Sequence, residues 1–130
     1  MVHYLDTSAL VKLVVAEPAS APLRAWIEEQ EVVPVSSDLA RTELLRAVRR
    51  GAPDRLVLAR LVLDSMTVLH MTAAVFEAAG RIDPEGLRSL DAVHLAAALL
   101  LGDDLAGLVT YDDRLADAAT ANGIPVVAPS

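Results

Sequence analysis

A three-layer α/β/α domain built on a mostly parallel sheet is the fold that this sequence predicts, and three observations carry the expectation. Short runs rich in Val and Leu alternate with longer stretches of helical periodicity, so successive strands are joined by crossovers rather than tight hairpins. Aromatic residues make up only 3% of the chain, which leaves Leu, Val and Ala to build the core and suits helices packed on a short sheet. The 130 residues are 54% hydrophobic and 22% charged, enough to bury one core and too apolar for wholesale disorder. No repeat, linker or low-complexity tract divides them, so a single domain over residues 1–130 is expected.

The elements follow in order. Val2 to Leu5 reads as a buried strand, and Asp6-Thr7-Ser8 supplies caps for a helix through Ala16 that Pro18 stops. A second helix runs from Ser20 to Gln30, and Val32 to Val35 forms the next strand. Ser36-Ser37-Asp38 caps a helix that ends near Gly51, and Pro53-Asp54 opens another through Leu63. Thr67 to His70 is a strand, Thr72 starts a helix to Arg81, and Asp83-Pro84-Glu85-Gly86 is a loop. Leu90 to Leu101 is helical until Gly102. Leu108 to Tyr111 is a strand, a helix follows from Asp112 to the Asn122-Gly123 stop, and Pro125 to Val127 closes the sheet.

Composition narrows the chemistry. With no cysteine, disulfides, zinc–thiolate sites and thiol nucleophiles are excluded. The N-terminus has no basic leader, and Asp6 and Lys12 interrupt its apolar stretch. The longest apolar run, Leu95 to Leu101, is too short to span a bilayer, so a cytoplasmic protein without a membrane segment is expected. The net charge of −7 argues against non-specific nucleic-acid binding. Its distribution qualifies that argument. Between Ser36 and Asp64, six arginines face four acids, so this stretch is +2 and the remainder −9. Arg41, Arg46, Arg49 and Arg50 thus form a basic helical region suited to phosphate or an acidic partner, or else simply a solvated face.

Four acids stand out. In a parallel sheet, ligands bind beyond the carboxyl ends of the strands, and Asp6 and Asp112 (with Asp113 beside it) follow two such ends. Either alone could be an ordinary helix cap. Glu43 lies on the apolar face formed by Leu39, Ala40, Leu44, Ala47 and Val48, where a carboxylate is costly unless it is paired or coordinated. Arg46 and Arg50 are its nearest candidate partners along the helix. Asp91 and His94 are the only polar members of a helix that is apolar nearly all round, and they share a face. If three or four of these carboxylates share a cleft, each close pair repels by roughly 3 kcal/mol at about 5 Å and an effective dielectric near 20. Such a cluster takes up protons or binds a cation. Oxygen donors alone select Mg²⁺ or Mn²⁺ over Zn²⁺, and so favour phosphoryl chemistry.

The stretches Val2-His-Tyr-Leu-Asp-Thr-Ser-Ala-Leu-Val-Lys-Leu13, Arg41-Thr-Glu-Leu-Leu45, Leu90-Asp-Ala-Val-His-Leu-Ala97 and Leu108-Val-Thr-Tyr-Asp-Asp-Arg-Leu-Ala116 resemble, in order and spacing, the motifs of PIN-domain ribonucleases. The likeness is greatest to VapC-type toxins of bacterial toxin–antitoxin pairs, and it spans essentially the whole chain. It implies a PIN-like fold and an endoribonuclease dependent on Mg²⁺, with Mn²⁺ as the alternative. By that resemblance Asp6, Glu43, Asp91 and Asp112 are the catalytic acids, with Asp6, Asp91 and Asp112 holding the metal. Ser8, Thr110 and Asp113 would support them, and Asp112 is preferred to Asp113 as the inward acid. A homodimer and a cognate antitoxin are implied as well. The expected chemistry is in-line attack of water on an RNA phosphodiester, leaving a 5′-phosphate and a 3′-hydroxyl.

Other acidic-pocket folds match less well. A haloacid-dehalogenase-type phosphatase needs a second acid two positions after the first-strand aspartate, where this chain has Ser8. A receiver domain needs a lysine after a late strand, and Lys12 is the only lysine. The alternative from another class is a catalytically silent binding module of the same fold.

Overall fold

The computed structural model describes all 130 residues. Five strands form one sheet: β1 (Val2–Leu5), β2 (Pro34–Ser37), β3 (Thr67–Leu69), β4 (Leu105–Val109) and β5 (Val126–Val127). Their order is β3-β2-β1-β4-β5 and every pairing is parallel, so the expected mostly parallel sheet is wholly parallel. Seven helices connect them: α1 (Thr7–Val14), α2 (Ser20–Glu29), α3 (Asp38–Gly51), α4 (Leu56–Asp64), α5 (Ala73–Ala79), α6 (Ser89–Leu99) and α7 (Asp113–Ala121). None is long and apolar enough to cross a membrane.

Period-two alternation in the central strands builds the two outer layers. Leu5 and Val109 face one side, where they pack with Leu10, Leu23, Leu44, Val48 and Leu63 from α1 to α4. Tyr4 and Leu108 face the other, among Val75, Val93, Leu95, Leu115 and Ile124 around α5 to α7. Helix α6 is buried continuously from Ala92 to Ala98, as its all-round apolar sequence predicts. The glycine stops also hold: Gly102 and Gly123 take positive φ of 53° and 77°.

Strands β2 and β4 are shifted from the sequence reading, and β3 and β5 are each one residue shorter than it. Strand β2 lies two residues later than expected, because Ser36 and Ser37 are fully buried strand residues; Ser37 is also the N-cap of α3, but its side chain makes no cap hydrogen bond. The Ser36 hydroxyl donates to the Leu5 carbonyl at 2.7 Å, and Ser37 Oγ accepts from the Tyr4 hydroxyl at 2.8 Å. Strand β4 starts and ends earlier than expected, so Thr110 and Tyr111 belong to the loop that leads to Asp112. The segment after Pro53 opens as a 3₁₀ turn before α4 begins.

Strands β4 and β5 approach closely at Gly107. A Cβ there would lie 2.9 Å from the Pro125 carbonyl oxygen, which the ladder holds in place by accepting from Leu108 N at 2.9 Å. Gly107→Ala is therefore expected to lose about 1–3 kcal/mol by overpacking, read as a lower urea midpoint than wild type.

Candidate active site

The chain leaves β1 towards β2 and β3 on one side, then returns to β4 and β5 on the other. The loops after β1 and β4 consequently part in opposite directions and open a crevice at the carboxyl ends of the central strands.

Asp6 is the first residue past β1, only 4% exposed. It caps α1, with Oδ1 accepting from Ala9 N at 3.0 Å, so the capping and functional readings apply to one side chain. Oδ1 also accepts from Ser8 Oγ at 2.7 Å, and Oδ2 from Thr110 Oγ1 at 2.6 Å. The same two hydroxyls accept from the loop after β4: Ser8 Oγ from Tyr111 N at 2.9 Å, and Thr110 Oγ1 from Asp112 N at 3.1 Å. Ser8 and Thr110 thus stitch the two strand ends together around the buried acid. Burial pushes the Asp6 carboxyl above its ordinary value, and the bonds from Thr110, Ser8 and Ala9 offset only part of that.

Asp112 is the N-cap of α7, with Oδ1 accepting from Arg114 N at 2.9 Å and Leu115 N at 3.4 Å. It is half-buried, whereas Asp113 is exposed in the first turn. Asp91 sits in the first turn of α6 with 18% of its side chain exposed. Its nearest cation, Arg88 Nε, is 4.0 Å from Oδ2. Burial raises the Asp91 carboxyl, the Asp112 charge raises it further and Asp6 adds to this, against weaker opposing pulls from Arg88 and His94. Asp6, Asp91 and Asp112 therefore share one electrostatic field.

Glu43 projects from α3 and pairs with neither Arg46 nor Arg50. Its Oε1 meets His94 Nε2 at 2.6 Å and accepts from Thr7 Oγ1 at 2.7 Å. Burial pushes this carboxyl up, but bonds from His94 and Thr7 and the His94 charge outweigh burial and leave it below its ordinary value. His94 is accordingly the partner of Glu43, across the crevice, and not of Asp91 one turn away on its own helix. The sequence pattern singled out His94 as an odd polar residue but could not supply a partner from another element. Thr7, read only as part of a cap, and Tyr4, read only as strand core, carried no such signal.

Among the arginines, Arg46, Arg49 and Arg50 line a cleft of about 350 Å³ and none of them forms an ion pair. Arg41 stands apart, its Nε bound to Asp38 Oδ1 at 3.1 Å.

The donor set suits a hard divalent cation. Carboxylates from Asp6, Asp91 and Asp112 lie with the Ser8 and Thr110 hydroxyls, no thiol is present, and both nitrogens of His94 are already engaged. No three of the acids and histidines close to full ligand spacing as they stand. It is the chemistry of the donors, buried and mutually repelling, that fits the ion.

A parallel α/β fold with clustered carboxylates at its switch point is the architecture of a metal-using phosphodiester hydrolase, and the family comparison agrees. Residues 3–121 match the PIN domain family. Ribonuclease VapC46 of Mycobacterium tuberculosis is 45% identical over 127 residues, covering 98% of this chain and 97% of its own. Ribonuclease VapC47 of the same species is 42% identical over 130 residues, with 97% and 96% covered. Two solved structures share the fold, each at 21% identity. One is Mycobacterium tuberculosis VapC20, described as a sarcin–ricin loop cleaving toxin, with a TM-score of 0.79 over 98% of this chain and 99% of that one. The other is a toxin–antitoxin complex from Klebsiella pneumoniae, with a TM-score of 0.74 and 98% of both chains covered. The chain belongs to the PIN-domain family, in its VapC ribonuclease branch. Dependence on a divalent cation is general in that family.

Proposed function

We propose that this protein is a Mg²⁺-dependent endoribonuclease, with Mn²⁺ as a competent substitute, and the toxin of a toxin–antitoxin pair acting in the cytoplasm as one domain over residues 1–130. The observation that carries the reading is the crevice itself, where Asp91 is pushed up by burial and by the charges of Asp112 and Asp6. Asp6, Asp91 and Asp112 would hold the cation. Bound there, it supplies charge neutralisation at the phosphate and an acidified water. Ser8 and Thr110 keep Asp6 fixed by donating to its two oxygens. Glu43, held ionised, accepts the proton of the attacking water. Asp113 supports the site only through the field at the start of α7, since its side chain is exposed.

Arg46, Arg49 and Arg50 follow Glu43 on α3 and, being unpaired, are free to hold phosphates of a single-stranded RNA segment. Arg41, bound to Asp38, contributes to the field more than to a contact. A cognate antitoxin completes the reading, by likeness to a solved toxin–antitoxin complex, and the family resemblance adds a homodimer.

Incubation of the purified protein with cellular RNA tests the proposal. Cleavage with Mg²⁺ or Mn²⁺ is expected, its loss in excess EDTA, and a higher melting temperature with either ion by mass action. Unchanged cleavage in EDTA would defeat the metal assignment. Expression alone should arrest growth, and co-expression of the antitoxin should relieve it. Harmless expression of cleavage-competent protein in its native host would remove the toxin assignment.

A further inference from the structure

Two buried polar side chains beside the acids have no part in the scheme above. Tyr4 is fully buried on β1, and its hydroxyl lies 2.8 Å from Ser37 Oγ and 2.7 Å from His94 Nδ1. The two rings meet edge to face with centroids 5.7 Å apart. His94 is 3% exposed and is the one polar residue in the buried run from Ala92 to Ala98. A histidine that merely filled this space would carry a desolvation cost that an apolar residue avoids.

The contact at the far side of the ring gives the histidine a purpose. Nε2 lies 2.6 Å from Glu43 Oε1, and because an ionised carboxylate only accepts, Nε2 carries the proton. The ring is thus fixed at both nitrogens, by Tyr4 from behind and Glu43 in front. Thr7 Oγ1 donates to that same Oε1. Both bonds fall on one carboxylate oxygen, while Oε2 receives none from the protein and the Glu43 side chain keeps 24% of its exposure.

We propose that His94, braced by Tyr4, is a positioning residue for Glu43: it pins Oε1 and so makes Oε2 the oxygen offered to the attacking water or the RNA. The role is defined on the ribonuclease reading of the site, and its test separates the two. With an RNA oligonucleotide that wild type cuts, His94→Ala should lower kcat by roughly 10–100-fold, the usual cost of losing a partner that orients a functional group, with KM little changed. His94→Gln, which restores an amide N–H facing Glu43, should recover part of kcat. Tyr4→Phe, which removes the brace together with the Ser37 contact but leaves the imidazole on Glu43, should lower kcat less than His94→Ala does. In a Glu43→Gln background, measured in single-turnover at high enzyme concentration, His94→Ala should cost nothing further.

Equal losses in both backgrounds, a rise in KM alone, or wild-type kcat in His94→Ala would each overturn the role. Should His94→Ala not fold, Tyr4→Phe carries the same cycle. A readout without RNA or metal is the Nε2 proton of His94 in the NMR spectrum. It should move in Glu43→Gln and stay in place in Asp113→Asn, and an unmoved signal in Glu43→Gln overturns the contact. If wild type cuts no RNA with either cation, the ribonuclease reading fails, and the NMR result still decides the Glu43 contact.

Discussion

Asp91→Asn is expected to cut RNA about 10³-fold more slowly than wild type and, in the presence of a chelator, to melt at a higher temperature. The loss reflects several kcal/mol of metal-mediated charge stabilisation, at about 1.4 kcal/mol for each factor of ten. The gain follows from the environment of Asp91. Its carboxyl is raised by burial and by Asp112, and the only ion pair it gives up is the 4.0 Å contact with Arg88. Discounted for solvent screening, relief of the repulsion is worth about 0.5–1 kcal/mol, or roughly 2–4 °C. The pH dependence has a definite sign. A carboxyl whose folded pKa lies above its unfolded value contributes stability below the ordinary value of 3.8, and that contribution is lost as pH rises through the folded pKa. The metal-free wild type should therefore lose some stability over that rise, and Asp91→Asn should lose less. A variant that melts lower and still cuts RNA would make Asp91 a plain first-turn helix acid. Asp6→Asn should abolish cleavage equally, but its thermal gain should be smaller, because the Thr110 hydroxyl loses a charged acceptor.

Glu43→Gln is expected to slow cleavage by about 10²–10⁴-fold, as for loss of a general base, while moving stability the opposite way. All four acids look alike in the sequence, and repulsion alone would have each neutral variant melt higher. The contact with His94 separates Glu43 from the others. Its carboxyl lies below its ordinary value once the His94 and Thr7 bonds have outweighed burial, so its contribution is present above 4.5 and lost as pH falls through the folded pKa. Replacing the charge should cost about 1–2 kcal/mol, the difference between charged and neutral hydrogen bonds, visible as a lower urea midpoint. A Glu43→Gln protein as stable as wild type would show that the His94 contact carries no net energy.

What the sequence made legible was whatever depends on neighbours along the chain. A carboxylate directly after an apolar strand marked Asp6, and a lone acid on an apolar helix marked Asp91. Alternation in the strands and periodicity in the helices gave the layers. What stayed hidden depends on groups brought together by folding. The sequence favours Asp112 over Asp113 only by its place after the strand, and it is the start of α7 that makes one the cap and leaves the other exposed. Ser36 and Ser37 carry the composition of a turn, yet they are strand residues because Leu5 and Tyr4 satisfy their hydroxyls. His94 was visible as an anomaly, and only folding, which brings this α6 side chain to one from α3, pairs it with Glu43.

The stitch between Asp6 and Thr110 joins residues 104 positions apart. Ser8 and Ala9 hold one oxygen of Asp6 from close by in the chain, but the hydroxyl that holds the other is made only after β4. A nascent chain still lacking β4 has no completed crevice, and neither does any fragment cut between α3 and α6. A nascent chain thus lacks the assembled acids until β4 and the start of α7 have been made. Any partner that recognises the assembled crevice likewise meets it only once β4 and the start of α7 are in place.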